Sequence, residues 1–490
     1  MGLRTPKIVK QGEKKTIDDE HGRAKVMKAF LGNSALIVVL TLVLFIGGGK
    51  AAQAAEHYVR ANAAGKNDGS SWTDAWRSFP PVLIRGDTYY IADGVYPPYK
   101  FDDAQDGTKY ITIKKAINTA AGHGYALDWD PTYGDGIAEL TGALTNYTAI
   151  LTFTTGYYVF DGVVGQGKSG HGFKISTTST DSESYLVYIH NGADYISISH
   201  SEICHTTMGQ LGVVVPRTKG ITVPTNDGDG IYDHLVISYN YIHDVTAQLL
   251  VLNYTTNAIV ENNYFEHRLG GDYLTNSRVQ TYIHGEGIEI DYCGMGSNNT
   301  IRYNTFKDIA GTAFIAIKDS VQSLFYIYGN IFFNTDSRFQ ITNGAIANTT
   351  GDSNSNMYVI NNTFVNINGY DCGINWYNGS SNYTYNNIWY KCQKVSFVGN
   401  VHDYNWFFAS GAQSEPNIQN GIGDPFVNLI NQNFKLSAGT VPGKSDLGAV
   451  FATDMLGILR GGNDGKWDRG ALEYVAIKPP ANFRMIQVPN

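Results

Sequence analysis

The sequence predicts an all-β fold in which the chain coils into a parallel β-solenoid. Three observations support it: a short motif that recurs along the chain, period-two alternation of apolar and polar residues within each copy, and a second series of short apolar strands between the copies. The 490 residues are 43% hydrophobic and 13% aromatic, which is enough apolar material for a long core. With only four cysteines, the chain is not a scaffold built on disulfides.

The recurring motif places an Asn between two strand segments. Its copies are VISYNYIHD (236–244), VENNYFEHR (260–268), IRYNTFKDI (301–309), IYGNIFFNT (327–335), VINNTFVNI (359–367) and TYNNIWYKC (384–392), with a degenerate copy ISISHSEICH (196–205). The alternation predicts strands. Asn tolerates the left-handed backbone conformation, so we expect it to form the bend between them. Stacked copies would place the amides about 4.8 Å apart, close enough to form a ladder of hydrogen bonds.

The repeated Asn residues set the length of one turn. They are Asn240, Asn263, Asn304, Asn330, Asn362 and Asn387, separated by 23, 41, 26, 32 and 25 residues. A basic period of 23–26 residues with occasional insertions fits these spacings. We expect about ten turns, each burying the face of its neighbour.

A second strand series lies between the Asn motifs. It comprises GFKIS (172–176), LLVLNY (249–254), GIEIDY (287–292), AFIAIKD (313–319) and GINWY (373–377). Within it we expect Ile290 and Ile317 to face inward. The long insertions at 216–230, 268–286 and 347–356 all flank this series. Loops gathered beside one sheet can wall a groove, so this face is the predicted site of function.

The ends of the solenoid are predicted to be capped. Residues 57–79 predict a short helix and a strand, and GDTYYIADGVY (86–96) continues this N-terminal cap. The segments DPFVN (424–428), NFKLSAG (433–439) and WDRGALEYV (467–475) predict a closing cap. One solenoid domain therefore extends over 55–475, and 476–490 forms a C-terminal tail.

Residues 1–54 have the layout of a leader and secretory signal. The apolar run at 35–46 has twelve residues, fewer than the roughly 20 that span a bilayer. Basic residues precede it, and Ala52-Gln53-Ala54 follows as a small-x-small cleavage site. Met27 would begin a signal of ordinary length, which makes it an alternative start. We expect a secreted or cell-surface protein without a stable membrane partner; a retained N-terminal anchor is the alternative.

Together these features resemble the secreted right-handed parallel β-helix proteins of the pectate-lyase-like superfamily. The opening HYVRANAAGKNDGSSW (57–72) with 86–96, the Asn-ladder turns and the closing DPFVN, NFKL and RGALEY carry the resemblance over roughly 57–475. At the close, TVPGKSD (440–446) departs from the usual Ser-Pro-Ala-Ile-Asp. The resemblance implies a single-stranded right-handed parallel β-helix with an N-terminal cap. It also implies a polysaccharide partner, although fold alone does not choose among lyases, hydrolases, epimerases and non-catalytic proteins.

The outward face of the second strand series carries the main candidate site. In GIEIDY, Glu289 and Asp291 alternate with inward residues. Alignment on the Asn motif places Lys318 one turn later, beside Asp291, and Asn253 one turn earlier. Oxygen ligands of this kind suit Ca²⁺, so Asn253, Glu289 and Asp291 are the predicted metal ligands. A bound metal can neutralise a uronate carboxylate and acidify the adjacent proton, which a base then removes in β-elimination.

This arrangement resembles the calcium site of the family-six polysaccharide lyases. In that family an Asn precedes a Glu-x-Glu pair, a catalytic Lys follows soon after, and an Arg lies one turn on. Residues 292–300 (YCGMGSNNT) contain no Lys, and Lys318 occupies the place of the Arg. A base must then come from elsewhere, and the candidates are His284, Arg278 and Tyr292. The residues with predicted catalytic roles are Lys318, Glu289 and His284, and those with predicted substrate contacts are Asn375, Tyr377 and Arg278.

Other interpretations stay open at this stage. Asp291 and Lys318 can form a plain ion pair between turns. The polar positions His205, Asp244, His267 and Asp308 can bind a transition metal or simply face solvent. The loop NDGDG (226–230) resembles part of a calcium loop or is a solvated turn.

Three function classes follow from these features. Elimination on a uronate-containing polysaccharide is favoured, hydrolysis by Glu286 and Glu289 is a second possibility, and a non-catalytic carbohydrate-binding or structural solenoid is the third. The net charge is −8, and nine Lys or Arg against four acids in 1–54 put the remainder near −13. This acidic balance argues against nucleic acid as a partner, since nucleic acid needs clustered Lys and Arg.

Overall fold

The structure is a computed structural model that describes most of the chain after the predicted leader. The described residues are 54–179, 183–206, 217–224, 230–266, 286–291, 298–318, 323–348, 356–376, 381–411, 414–462 and 464–476. The leader predicted at 1–54 lies outside them apart from Ala54 and stays a prediction. None of the residues that the structure describes forms a helix with the length and apolar character needed to cross a membrane.

Three long parallel sheets make up the described fold, so the predicted right-handed parallel β-helix is confirmed. We call them sheet 1, sheet 2 and sheet 3. In the described residues, sheet 1 contains Glu56–Val59, Thr88–Ile91, Ile111–Lys115, Tyr158–Asp161, Ile196–Ser199, Val236–Ser238, Ile259–Glu261, Asn298–Arg302, Leu324–Tyr328, Asn356–Ile360, Asn382–Tyr385 and Val401–Asp403.

Each turn passes from sheet 1 to sheet 2 and then to sheet 3. Sheet 2 contains Gly94–Tyr96, Ala138–Thr141, Phe173–Thr177, Ser201–His205, Tyr241–His243, Tyr264–Glu266, Thr305–Lys307, Ile331–Phe333, Thr363–Val365, Ile388–Tyr390, Trp406–Phe408 and Gln419–Asn420. Sheet 3 contains Tyr99–Phe101, Ala149–Phe153, Glu183–Ile189, Arg217–Val223, Leu250–Leu252, Ile288–Asp291, Ile315–Lys318, Ile346–Asn348, Ile374–Asn375 and Phe397–Val398.

Shorter elements complete the turns and the ends. Two small parallel pairs join Tyr232–Asp233 to Thr255–Thr256 and Gln340–Ile341 to Asn368–Gly369. Short 3₁₀ turns occupy Pro131–Tyr133 and Ala449–Phe451.

The Asn ladder forms as predicted between sheets 1 and 2. The Asn240 backbone N–H donates to Oδ1 of Asn263 at 3.0 Å, and its Nδ2 donates to the same oxygen at 3.1 Å. The same pair of bonds repeats through the other predicted ladder positions and continues one step further, to Asn405. Glu415 closes the ladder by accepting from the backbone and side chain of Asn405. The buried amides of neighbouring turns are thus satisfied by one another.

The bend itself corrects one sequence prediction. The left-handed residue is the one before the ladder Asn: Tyr239, Asn262, Tyr303, Gly329, Asn361, Asn386 and Tyr404 all have positive φ. The ladder Asn is not in this conformation in any of these turns. Its side chain is therefore selected for the ladder bonds, whereas the preceding residue makes the bend.

Aromatic side chains stack inside the solenoid along its axis. Phe265, Phe306, Phe332, Phe364 and Trp389 are successive inward residues of sheet 2, all fully buried. Their ring centroids are 4.7, 4.8, 4.8 and 3.9 Å apart, close to the strand spacing. Parallel in-register strands therefore impose the offset stacking that aromatic pairs favour.

The second strand series forms sheet 3 with one exception. Ile290 and Ile317 are fully buried, as expected for inward residues. The segment GFKIS was assigned to the wrong sheet, because Phe173–Thr177 pairs with Ala138–Thr141 and Ser201–His205 in sheet 2. An alternating pentapeptide has the same period in every sheet, so its sheet is decided by its neighbours.

The two ends differ from each other in how well the sequence predicted them. Residues 57–79 contain no helix; after strand Glu56–Val59 they form turns, and Trp76 makes an isolated parallel bridge to Val59. At the other end, Phe426–Asn428 and Asn433–Leu436 form the expected closing element as an antiparallel hairpin. Cys372 and Cys392, about one repeat apart, are buried free thiols rather than a disulfide.

Candidate functional site

The predicted site lies on the outward face of sheet 3. Glu289 pairs with Val251 on one neighbouring strand and Ala316 on the other. Asp291 pairs with Lys318, as the sequence alignment of the turns predicted. The structure thus brings strands 250–252, 288–291 and 315–318 side by side in the expected register. The side chain of Asp291 lies outside the described part of the structure.

Glu289 is a buried carboxylate with both oxygens engaged. Lys318 Nζ lies 2.9 Å from its Oε1, and Gln248 Nε2 donates to its Oε2 at 2.5 Å. Glu289 is only 7% exposed. The ammonium reaches diagonally across the strand pair, since in a sheet the i, j±2 neighbours on one face are within reach of a long side chain. Lys318 therefore bridges to Glu289, which the sequence had not assigned as its partner.

Two of the remaining predicted site residues, Asn253 and Asn375, lie within the described part of the structure. Asn253 directly follows strand Leu250–Leu252 and is buried. Asn375 lies in the same register column as Glu289 but three strands further on, about 14 Å away at the usual strand spacing. There Asn375 accepts from Ser396 Oγ and donates to the Asn343 carbonyl. His284, Arg278, Tyr292 and Tyr377 lie outside the described residues, as does most of the loop at 226–230.

The predicted metal ligands offer oxygen atoms, the ligand type that a hard cation binds. Carboxylate and amide oxygens of Glu289, Asn253 and Gln248 are the ligand types that Ca²⁺ prefers. Gln248 Oε1 is buried and has no hydrogen-bond partner among the described residues. A buried acceptor left without a donor is costly. The Lys318 ammonium meanwhile supplies positive charge at the carboxylate.

Aromatic side chains lie in the same register column, three strands before Glu289. The column passes from Tyr188 through Thr222 and Val251 to Glu289. The Tyr188 ring stacks on Tyr185 at a centroid distance of 4.5 Å and lies 4.6 Å from the His190 ring. Tyr185 is buried, and Tyr185 and His190 both pack against the Tyr188 ring, so the partly exposed edge of Tyr188 is the part of the stack that a sugar could contact. The outward face of sheet 3 thus combines an aromatic stack with a buried ion pair.

A second polar cluster, which the sequence interpretation missed, lies on the outward face of sheet 2. Cys204 and His243 are register partners on adjacent strands, and Glu202 lies two residues before Cys204 on the same face. His243 Nδ1 lies 2.8 Å from Oδ2 of Asp244. Its Nε2 lies 3.4 Å from Oε1 of Glu202 and forms no hydrogen bond of good geometry within the described residues. The motif alignment could have revealed this cluster, because it places SEICH (201–205) over NYIHD (240–244) and so puts Cys204 beside His243.

The side chains of this cluster shift one another's pKa values. Burial by itself lowers the pKa of His243, but contacts with Asp244, Cys204 and Glu202 outweigh it and raise the pKa to about 11. The interaction with His243 is the main reason that the pKa of Glu202 falls to about 2. Burial raises the pKa of the Cys204 thiol. Without a metal, the cluster is an imidazolium held between two carboxylates beside a neutral thiol.

The polar stack predicted at His205, Asp244, His267 and Asp308 does not form a metal site among its described members. His205 bonds to the Ser179 carbonyl, and Asp308 bonds to Thr335 and contacts Lys307. His267 lies outside the described residues. The described members, His205, Asp244 and Asp308, each contact a different local partner.

Glu266, the register partner of His243 on the next strand, is fully buried and contacts two lysines and a tyrosine. Lys307 and Lys168 contact its carboxylate, and the Tyr241 hydroxyl donates to it at 2.7 Å. Burial alone raises the pKa of Glu266, but the contacts with Lys307, Tyr241 and Lys168 outweigh it and lower the pKa to about 2. The network links three successive turns of sheet 2.

A cavity of about 200 Å³ also lies on the side of sheet 2. Tyr264, Thr305 and Phe333 line it from the sheet, and Phe434 and Leu456 line it from the C-terminal cap. It does not adjoin Glu289, and none of its lining residues belongs to the predicted site. The candidate site on sheet 3 therefore rests on its charged and polar groups rather than on cavity shape.

Comparison with known proteins finds similarity at the level of solved structures. A pectate lyase, Pel9A, shares 15% identity, with a TM-score of 0.46 over 86% of this chain and 96% of that one. An alginate lyase from Paenibacillus sp. str. FPU-7 shares 16% identity, with a TM-score of 0.35 over 61% and 93%. A PL6-family polysaccharide lyase from Pseudopedobacter saltans shares 13% identity, with a TM-score of 0.33 over 68% and 92%. No protein-family profile and no curated protein sequence matches the chain.

Proposed function

We propose that this protein is secreted and cleaves a uronate-containing polysaccharide by calcium-assisted β-elimination on the outward face of sheet 3. The observation that carries the proposal is the buried Glu289 carboxylate, bridged to Lys318 and flanked by the acceptor Gln248 Oε1. Burying a carboxylate is costly unless it is paired, and at the predicted metal position Lys318 and Gln248 supply that pairing. Buried charges in a paired setting occur at functional sites as well as in structural networks.

Glu289, Asn253 and Asp291 would hold the cation, with Gln248 Oε1 beside them. When bound, Ca²⁺ neutralises the substrate carboxylate and acidifies the proton next to it. Glu289 fixes the charge at the base of the site because its strand is paired on both sides. The cation also offsets the long-range repulsion between an acidic protein and an acidic polymer.

Lys318 has a separate role in this proposal. Its ammonium would compete with a bound cation for Oε1 of Glu289, and once displaced from that oxygen Nζ would be able to reach the substrate. There it contacts an anionic group of the polymer or of the developing product. The proton-abstracting base is one of His284, Arg278 and Tyr292, as the sequence suggests.

The direction of the sheet suggests how the polymer lies. The register column from Tyr188 to Asn375 crosses seven strands, a span of about 29 Å along the axis. Sugars would contact the partly exposed Tyr188 before the reacting unit reaches Glu289. This orientation makes the aromatic stack a binding element rather than a catalytic one.

The competing function is a non-catalytic carbohydrate-binding solenoid. One observation favours it: both oxygens of Glu289 are already satisfied by protein groups. A binding protein would use the aromatic stack and keep the ion pair intact.

The deciding experiment uses purified protein stripped of metal by a chelator. It is incubated with alginate, pectate, chondroitin and neutral glycans, with and without Ca²⁺, while ultraviolet absorbance follows unsaturated uronates and a second assay follows reducing ends. We expect calcium-dependent absorbance with one of the acidic polymers and its loss in Glu289→Gln. Glu139→Gln, on the outward face of sheet 2, is the matched control and should keep full activity.

Other outcomes overturn the proposal. Reducing ends without absorbance would show hydrolysis. Neither signal, together with retention on an immobilised glycan that is lost in Tyr188→Ala, would show a binding solenoid.

A further inference from the structure

We propose that Glu202, Cys204 and His243 bind a divalent transition metal ion of the zinc type on the outward face of sheet 2. One potential ligand atom from each residue lies within 4.8 Å of the others, so small rotamer changes would bring all three into one coordination sphere, whose bonds are about 2.0–2.3 Å long. The site lies on a different sheet from Glu289. It is independent of the proposed calcium and of the proposed elimination reaction.

The fold itself brings the three ligands together. Cys204 and His243 are directly opposite each other on adjacent parallel strands, so their side chains leave the sheet about 4.8 Å apart. Glu202 shares the face because residues i and i+2 of a strand point the same way. Strands fixed on both sides by sheet pairing hold these positions without help from loops.

The orientation of the His243 ring is already that of a metal ligand. Asp244 Oδ2 lies 2.8 Å from Nδ1, which leaves Nε2 as the coordinating atom. His243 is 9% exposed, and its Nε2 points at Glu202 with no hydrogen-bond partner within the described residues. A carboxylate on the far nitrogen is the usual way in which proteins orient a metal-bound imidazole.

The ligand types select the metal class. A thiolate and an imidazole favour Zn²⁺, Co²⁺ and related ions over Ca²⁺, which takes oxygen ligands. Three protein ligands leave a fourth tetrahedral position for water or another group. Cys204 is 2% exposed, so the ion would enter from the side of the more accessible Glu202.

Binding of the metal ion would release protons from two of its ligands. Coordination replaces the proton on Nε2 of His243 and the proton on Sγ of Cys204, so two protons leave as the dication enters. Glu202 loses its contacts with His243 and with Lys174 Nζ, now 3.4 and 3.6 Å away, and gains the metal. The bound ion links two successive turns of the solenoid.

Cobalt binding tests the proposal. Chelator-treated, reduced protein without a polyhistidine tag is titrated with Co²⁺, and the ultraviolet and visible spectra are recorded with metal content. We expect one equivalent to bind with a thiolate-to-cobalt charge-transfer band. Zn²⁺ should displace it, and excess Ca²⁺ should not. A wild-type protein that shows no such band with excess Co²⁺ overturns the proposal without any variant.

Variants then assign the ligands. Cys204→Ser should abolish the charge-transfer band, whereas Cys392→Ser and Cys293→Ser should keep it; a band that survives in Cys204→Ser overturns the assignment. Asp244→Asn keeps all three ligands and should weaken binding about 10–100-fold, which gives a test even if Cys204→Ser does not fold. Unchanged affinity in Asp244→Asn counts against His243 as a ligand. Glu289→Gln should leave the titration unaltered.

Discussion

Lys318 Nζ and Oε1 of Glu289 lie 2.9 Å apart across two adjacent turns of the solenoid. The pair joins a partly exposed ammonium to a buried carboxylate, so it spans the boundary between solvent and a buried site. A surface ion pair contributes little to stability, but removing one partner of a buried pair leaves an uncompensated charge. The pair therefore makes the site sensitive to any cation that competes for Glu289.

The Lys318→Met variant separates metal binding from turnover. Removing the ammonium frees Oε1 of Glu289, so we expect calcium to bind at least as tightly as in the wild type. Turnover should fall at least about 100-fold if Lys318 acts on the substrate. Calorimetric titration with Ca²⁺ and the absorbance assay measure the two effects. Weaker calcium binding in Lys318→Met would contradict the competition between the two cations.

The Asn ladder predicts a large stability cost at its centre. Asn330→Ala removes side-chain bonds to Asn362 and to the Ile301 carbonyl, and it leaves the Asn304 backbone N–H without its acceptor. Each buried polar group left without a hydrogen-bond partner costs about 1–3 kcal/mol. We therefore expect the free energy of unfolding to fall by about 3 kcal/mol or more. Denaturant unfolding followed by circular dichroism measures it. Asn420→Ala, at an exposed position, should change stability by less than about 0.5 kcal/mol.

Because the pKa of Glu266 is lowered in the folded protein, we expect the protein to lose stability in acid. Its pKa in the folded protein, about 2, lies below its usual value of 4.5. The stabilisation is therefore fully present above pH 4.5 and is lost as the pH falls toward 2, by about 3 kcal/mol in all. Unfolding midpoints measured across this range should fall less steeply in Glu266→Gln. That variant should also be less stable at neutral pH, because Lys307 and Lys168 lose their partner. If the unfolding midpoints of Glu266→Gln fall with pH as steeply as those of the wild type, protonation of Glu266 does not cause the loss of stability in acid.

The stacked aromatic column predicts a graded response to truncation. Phe332 lies between Phe306 and Phe364 with centroid distances of 4.8 Å on both sides. Phe332→Ala should cost about 3–5 kcal/mol through lost burial and a cavity that parallel strands cannot close. Phe332→Leu keeps most of the volume and should cost clearly less. Equal losses in thermal unfolding would indicate that ring stacking, not volume, dominates at this position.

The architecture followed from the sequence because a solenoid repeats one local rule. Period-two alternation identified the strands, and the Asn positions fixed the register, since Asn240 through Asn387 occupy their predicted ladder places. The same register correctly placed Asp291 opposite Lys318. The prediction failed where the rule stops: residues 57–79 form turns instead of a helix, because packing of the cap against the first turn outweighs local propensity.

Side-chain partners across turns were decided only by the tertiary structure. Sequence alignment of turns gives the column of each residue, but a long side chain can reach along the diagonal, as Lys318 does to Glu289. The alignment of SEICH with NYIHD does place Cys204 beside His243, but it does not give the side-chain positions that bring their polar atoms together with Glu202. Composition and periodicity set which residues share a face. The distances and angles between their polar atoms, which determine chemistry, depend on rotamers and burial that arise only once the turns are stacked.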